Sequence, residues 1–410
     1  MSRPVTGNAA SEQAPLAWPD VALLVPLLAS GALAALNYTA VSAILPTFAE
    51  HVGARDGGAF IAQVFMTMPS IGMMLGGLLS AWLILHVGAR RLLFVALAVY
   101  GASGSCGLYA SHLWPLLASR LLLGFGAVAT ATAGTTLMAE HFAGARRERL
   151  IGFQSSIGAG FGLLSTLVAG ALASACGWRT PFALYLVGFV LMLWAIRWVP
   201  AARAASPSPE RAAGARPAAG VPWAALKPLY FLCLPLYAAV FMTSTQVPFL
   251  LWDDGVRDPL VQSLVLAVAP FWNAAGAALY GRVRGVLGSS GTFSLALGLM
   301  ASGNAVLGLS HATSITCLGC AITGCGAGLT VPHVPNAVLE QVRGAARGRA
   351  LGVMYSLLYL GSFCNPLLMA PLASAIGRHG ALLLSGVLLA LGCVTALWRA
   401  SRRAQALPAH

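Results

Sequence analysis

The chain has 410 residues, 58% hydrophobic and only 9% charged, with a mean hydropathy of +0.79, which excludes an ordinary soluble domain. A bilayer core needs about 20 apolar residues per helical crossing, and runs of that length recur along the whole chain. They predict an all-α membrane protein of 12 transmembrane helices in two pseudo-symmetric six-helix bundles, embedded in lipid. The net charge of +13 is spread over loops rather than gathered on one soluble face, so nucleic acid is excluded as a partner.

Residues 1–19 hold prolines and polar residues without an apolar core and read as a tail, not a cleaved signal. The N-terminal bundle is expected over 20–198. Its first span, from about Val21 to Phe48, carries Asn37 and Tyr38, and its second, from about Phe60 to Leu85, carries Gln63, Thr67 and a close-packing face at Gly72 and Gly76. A short loop with Gly88, Arg90 and Arg91 leads into span 3. The run Leu116 to Ala139 forms span 4, with one internal charge, Arg120, followed by small residues at Gly124, Ala127 and Ala131. Gln154, Gly158, Gly162 and Ser165 share a face of span 5, and span 6 ends near Trp198, where an interfacial aromatic belongs.

Residues 199–227 are rich in Ala, Pro, Ser and Arg and read as a linker. A C-terminal bundle over 228–400 follows, with spans beginning near Leu229, Leu260, Thr292, Thr313, Arg349 and Ala381, and a tail over 401–410. Of 24 Lys and Arg, only Arg55, Arg179, Arg257 and Arg378 fall in one set of alternate loops; apart from Arg120, the rest lie on the other side. This bias places both termini in the cytoplasm of an inner membrane.

The halves are copies. Shifted by 200 positions without gaps, residues 144–177 match 344–377 at 12 of 34 positions. The same shift pairs Gly76 with Gly276, Gly88 with Gly288, Gly124 with Gly324, and Arg120 with Cys320. Six spans return each copy to the same side, so the repeat is parallel and its axis runs along the membrane normal.

With this repeat and linker, three stretches resemble the major facilitator superfamily: Arg120-Leu-Leu-Leu-Gly124-Phe-Gly126, Gly177-Trp178-Arg179 with Phe182, and Arg347-Gly-Arg-Ala-Leu-Gly352. The last is similar to efflux-type members. The resemblance implies a cavity lined by spans 1, 4, 7 and 10, a rocking interface of spans 2, 5, 8 and 11, a gate at the loops bearing Gly88, Arg90, Arg91 and Gly288, and a monomer. The acid usual in the loop after span 2 is replaced by Leu85, and by Gly285 in the second copy. The antiporter Gly-Pro pair of span 5 is Ser165-Thr166 here, with Asn365-Pro366 in the second copy.

Single Ser, Thr, Asn and Gln residues in spans usually bond their own helix or join neighbours, for about 0.6 kcal/mol each. Arg120 stands apart because it cannot be neutralised, and a buried charge normally faces a wet cavity. It is the expected anchor for an anionic or zwitterionic small-molecule substrate, such as a carboxylate or a siderophore-like hydroxamate, and a possible proton-relay element. None of the eleven acids lies mid-span, which disfavours cationic drugs as cargo. His333, between Pro332 and Pro335, is the mid-span group that titrates near neutral pH and is the proton-coupling candidate beside Arg120. The other candidate substrate-binding residues are Asn37, Tyr38, Tyr237, Thr243, Gln246, Trp272, Asn273 and Tyr359. Cys317, Cys320 and Cys325 lack the second pair or acid that would complete a metal site, and Gly158-Ala-Gly160-Phe-Gly162 follows no strand, so no metal, cofactor or enzyme activity is expected. The expected function is proton-driven export of a small organic solute, with import of a carboxylate and a non-transporting sensor as alternatives.

Overall fold

The computed structural model describes residues 18–52, 57–142, 144–200, 222–342 and 346–405. Residues 201–221 of the expected linker, 1–17 of the expected N-terminal tail and 406–410 of the C-terminal tail fall outside the described residues. Among those described, the chain is built of helices without strands, as lipid requires when every backbone polar group must be satisfied internally.

Ten helical stretches are long and apolar enough to cross a bilayer, and two of them each make two crossings, giving 12. Span 1 is Trp18–Ser42 continued by Leu45–Val52; span 2 is Gly58–Val87, span 3 Ala89–Ser105, span 4 Leu113–His141 and span 5 Gly144–Cys176. Span 6 enters through a 3-10 stretch, Thr180–Leu186, before Val187–Trp198. Span 7 is Trp223–Val240 followed by Met242–Asp253, and span 10 is Thr313–Gln341. Spans 8 and 9 lie within Pro259–Leu309, and spans 11 and 12 within Ala346–Gln405. Below, the side bearing the start of span 1 and the end of span 12 is called proximal, the other distal.

The connections repeat with the sequence. Spans 8 and 9 are divided at Gly288 (φ 67°, ψ −178°) and spans 11 and 12 at Gly377 (φ 74°, ψ 165°). Their partners in the first copy, Gly88 (φ 82°) and Gly177 (φ 94°), make the same turns. Backbone with positive φ and ψ near 180° is essentially restricted to glycine, which explains why these four positions agree across the duplication. Span 1 breaks for a different reason. Pro46 has no N–H and its ring crowds the carbonyl four residues back, Ser42, and Ile44 N–H instead donates to Val41 O at 3.1 Å.

Glycines also set the spacing within each bundle. A Cβ at Gly124 would collide with the Pro69 carbonyl of span 2, and one at Gly324 with the Ala269 carbonyl of span 8. Both pairs are 200 residues apart, so the close crossing of spans 2 and 4 is reproduced in spans 8 and 10. Such small-residue contacts replace the hydrophobic effect as a source of helix association in lipid. The outer faces are bare of polar cover: Phe231 is 86% exposed and Val286 84%, as suits side chains that meet acyl chains. Between the bundles, span 5 packs on span 8 and span 2 on span 11.

Candidate functional site

A cavity of about 370 Å³ lies between the two bundles. Span 1 contributes Tyr38, Thr39 and Ser42, span 5 Gly158, Gly162 and Thr166, span 7 Tyr237, Phe241 and Thr243, span 8 Asn273, and span 10 Thr323 and Val331. Two of these spans are broken beside the cavity, span 1 after Ser42 and span 7 at Phe241. Among the described residues no charged side chain lines it. Its polar character comes from hydroxyls and one amide. Tyr38 OH is 2.9 Å from Ser70 Oγ, and Thr39 Oγ1 is 2.6 Å from Ser165 Oγ. The hydroxyls of Tyr237, Thr243 and Thr323 are buried and find no hydrogen-bond partner among the described residues; that of Thr323 lies against Gly303 of span 9, within its own bundle. An unpaired buried hydroxyl costs about 1–3 kcal/mol, so the two on span 7 mark the part of the lining where a polar solute or water would be held.

The cavity is closed distally. Gln63 of span 2 and Gln246 of span 7 exchange amide hydrogen bonds at 3.3 Å in each direction. Behind Gln246, Asn365 accepts from Thr245 Oγ1 at 2.7 Å and donates to Ala238 O at 2.8 Å. Nearer the middle, Ser362 donates to Ser70 Oγ at 2.7 Å, and the rings of Tyr38 and Phe241 meet edge to face at 5.0 Å. At the distal ends of spans 5 and 8, Gly170 abuts Ser263 and the Pro259 carbonyl. Toward the proximal side the lining residues Ala159 and Val331 are exposed, and a second pocket of about 280 Å³ separates span 2 (Met73, Gly77) from span 11 (Gly352, Tyr355, Tyr359). The bundles touch distally and part proximally.

Arg120 is not in the cavity. It is 2% exposed, and its guanidinium carbon lies 4.3 Å from the Phe65 ring centre, 4.9 Å from Phe182 and 5.1 Å from Tyr185. Nη1 donates to Tyr185 OH at 2.9 Å, and that hydroxyl donates to Leu36 O at 3.2 Å. Three ring faces and a phenol stabilise the charge, each desolvated cation–π contact contributing about 0.5–2 kcal/mol, while Nε is buried with no hydrogen-bond partner among the described residues. Arg120 therefore pins spans 1, 2, 4 and 6 of one bundle to each other, and no residue of span 4 appears on the cavity wall. The expected anion anchor is corrected on this ground. Its repeat partner Cys320 is likewise buried in a core cluster.

Several other expected residues are displaced in the same way. Tyr38, Tyr237, Thr243 and Asn273 line the cavity, whereas Asn37, one residue round the helix, is fully buried against Met73 (Nδ2 to Sδ 3.7 Å). Gln246 belongs to the distal closure. Trp272 is 43% exposed and packs edge-on against Phe271, and Tyr359 lines the smaller pocket. His333 stacks on Phe293 at 5.3 Å with Tyr280 at its edge, among spans 8 and 9. Span 10 runs unbroken through Pro332 and Pro335, so the helical phase is not reset and His333 stays turned away from the cavity face that carries Val331 and Ala327.

The proximal loop residues also act within their own bundles. Arg90 Nε donates to Val199 O at 2.9 Å, tying span 3 to the end of span 6, and Arg91 is exposed. In the second copy Arg284 pairs with Glu340 and donates to Tyr280 OH at 2.6 Å.

A family model described as Major Facilitator Superfamily matches residues 27–256, more than half of the chain. The chain belongs to this superfamily. Solved structures agree over nearly the whole length. They include a POT family transporter in complex with 5-aminolevulinic acid (TM-score 0.72, 12% identity, covering 91% of this chain and 95% of that one) and the human organic anion transporter MFSD10 (0.65, 16%, 93% and 100%). The inward-open xylose transporter XylE from E. coli is a third (0.66, 16%, 92% and 94%). At such identities the likeness is one of fold. No curated protein sequence matches the chain.

Within this superfamily fold the wall is supplied by spans 1, 5, 7, 8 and 10 with Met66 of span 2 and Leu358 of span 11, rather than by 1, 4, 7 and 10. Thr39, Thr323 and the Gln63 half of the distal clamp were not among the expected site residues. Gln63 and Gln246 lie 183 residues apart, and no local pattern links them. A test of the clamp follows from its geometry. Gln63→Glu with Gln246→Glu brings two carboxylates to the separation of the present amides, a repulsion of about 4 kcal/mol near 4 Å at an effective dielectric of ~20. At pH 8, spin labels on the distal ends of spans 1 and 7 are expected to move apart relative to the parent protein. Unchanged distances would show that the distal closure does not depend on this pair.

Proposed function

We propose that this protein is an alternating-access transporter of a small, uncharged or zwitterionic organic solute with both an apolar face and hydrogen-bonding oxygens. The observation that carries the reading is the cavity wall itself: aromatic and aliphatic surface with two hydroxyls, Tyr237 and Thr243, that have no hydrogen-bond partner among the described residues, and no charged side chain among the described lining. Few placed polar groups on a mainly apolar lining are what a small-molecule site needs for orientation and affinity. With Arg120 enclosed among rings, a simple anion has no partner in the cavity. A zwitterion requires its two charges to satisfy each other.

Outward movement across the inner membrane is the direction we favour, supported by the efflux-type stretch Arg347 to Gly352. With no acid mid-span and His333 away from the wall, the leading reading is movement down the solute's own gradient. A second reading, proton-coupled export, is favoured by one observation: His333 Nδ1 is buried with no hydrogen-bond partner among the described residues.

The test begins with the metabolites retained by cells lacking the gene compared with cells carrying it. Each retained compound is then offered to inside-out vesicles. Uptake of an enriched compound that reaches its external concentration and is insensitive to an uncoupler supports the first reading; accumulation abolished by the uncoupler supports the second. Tyr237→Phe with Thr243→Val is expected to lower the apparent affinity about 30-fold, at roughly 1 kcal/mol per hydrogen bond. Unchanged affinity in that variant would reject this cavity as the binding site.

A further inference from the structure

On the distal face of the C-terminal bundle three loops bring together Asp254, after span 7, His311, between spans 9 and 10, and His379, just after the Gly377 turn into span 12. One ligand-capable atom from each lies within 4.8 Å of the others. His311 Nδ1 and His379 Nε2 are both 3.8 Å from Asp254 Oδ1, and the two rings are 4.5 Å apart at 42°. At 3.8 Å neither imidazole hydrogen-bonds the carboxylate.

Two further details orient this group toward a cation. His379 Nδ1 is 3.2 Å from Gly308 O. A carbonyl can only accept, so Nδ1 carries the proton in the neutral ring and the Nε2 lone pair points at Asp254. This outer hydrogen bond is the arrangement that usually fixes a metal-binding histidine. The second detail is Asp254 itself, 14% exposed at its side chain, whose Oδ2 is buried and has no hydrogen-bond partner among the described residues. The nearby cation does not supply the missing charge: Arg378 is engaged with Asp253 at 2.6 Å and with Phe249 O at 3.3 Å.

We propose that Asp254, His311 and His379 form a binding site for a divalent transition-metal ion of the zinc class. Bonds of about 2.0–2.1 Å in a tetrahedral site place ligand atoms about 3.3 Å apart, so the two 3.8 Å separations must shrink by about half an ångström, and that between the two histidines, within 4.8 Å, closes by a rotation of the exposed His311 ring. Two imidazoles select against calcium and magnesium, which take oxygen ligands. Three protein ligands leave a fourth position for water. All three ligands belong to one bundle, so the ion clips the distal loops of that bundle together and does not bridge the two halves. The site is independent of the central cavity and of any reading of the transported solute.

The experiment uses the full-length protein in detergent, its affinity tag removed and its metal stripped, titrated with Zn²⁺ against a chromophoric chelator. One ion per chain is expected, with His311→Gln and His379→Gln each weakening binding by about tenfold or more and the variant that also carries Asp254→Asn showing no specific site. The parent's thermal midpoint should rise with Zn²⁺, while that of the triple variant should not move. Should a variant fold poorly, Co²⁺ added to the parent gives a second readout: a tetrahedral d–d spectrum with nitrogen and oxygen ligands supports the site, and an octahedral aquo spectrum overturns it. Absence of stoichiometric Zn²⁺ binding, or equal binding by parent and triple variant, overturns it as well.

Discussion

Arg120→Ala is expected to unfold or severely destabilise the N-terminal bundle rather than to alter substrate choice. The substitution removes a side chain that fills the space among Phe65, Phe182 and Tyr185 and leaves the Tyr185 hydroxyl without its donor. Truncating a large buried side chain costs about 3–5 kcal/mol, and most of a domain's net stability is of that order. Arg120→Lys is expected to fall in between, because an ammonium keeps the charge but not the planar stacking surface. Thermal unfolding in detergent, followed by light scattering and tryptophan fluorescence, measures both. A stable Arg120→Ala protein that had lost transport alone would return the guanidinium to a direct role with the solute.

Gly124→Val and its repeat counterpart Gly324→Val are the second large effect. At each position the new Cβ lands on a backbone carbonyl of the crossing helix, Pro69 in one bundle and Ala269 in the other. A side-chain obstacle could rotate away; a carbonyl held in a helix cannot, so the helices must separate. The cost belongs at or above the roughly 3 kcal/mol upper end of ordinary overpacking. Yield of monodisperse protein and its thermal midpoint are expected to fall for both variants, and by similar amounts if the duplicated crossings are equivalent. Gly88→Ala is the contrasting control: its Cβ would meet nothing within 4 Å, leaving only backbone strain of about 1–3 kcal/mol. A Gly124→Val protein as stable as the control would show that the crossing of spans 2 and 4 is not close-packed.

Much of this fold was legible without coordinates. The twelve crossings, the duplication and the glycine faces at Gly72, Gly76 and Gly124 follow from run length, a gapless shift of 200 and residue size. These signals are local or self-referential, so a linear string carries them. The site was legible only in part. Asn37 and Tyr38 were indistinguishable as candidates, yet a step of about 100° round the helix sends one into the bundle core against Met73 and the other to the cavity wall. Thr243 and Gln246 share one helix face at sequence level; in the folded chain Thr243 meets the cavity and Gln246 meets Gln63 from the opposite bundle.

By itself the sequence determined that the chain enters the membrane twelve times, as two copies of one plan, because crossing a hydrocarbon layer depends on how many apolar residues lie in a row. Only the tertiary structure decided which way each helix is turned, and with it the fate of Arg120, His333 and the cluster of Asp254, His311 and His379. A buried charge has two inexpensive surroundings in a membrane, a wet cavity or a shell of aromatic faces. The linear pattern around Arg120 is compatible with both, and the choice was made by Phe65, Phe182 and Tyr185, which arrive from other helices.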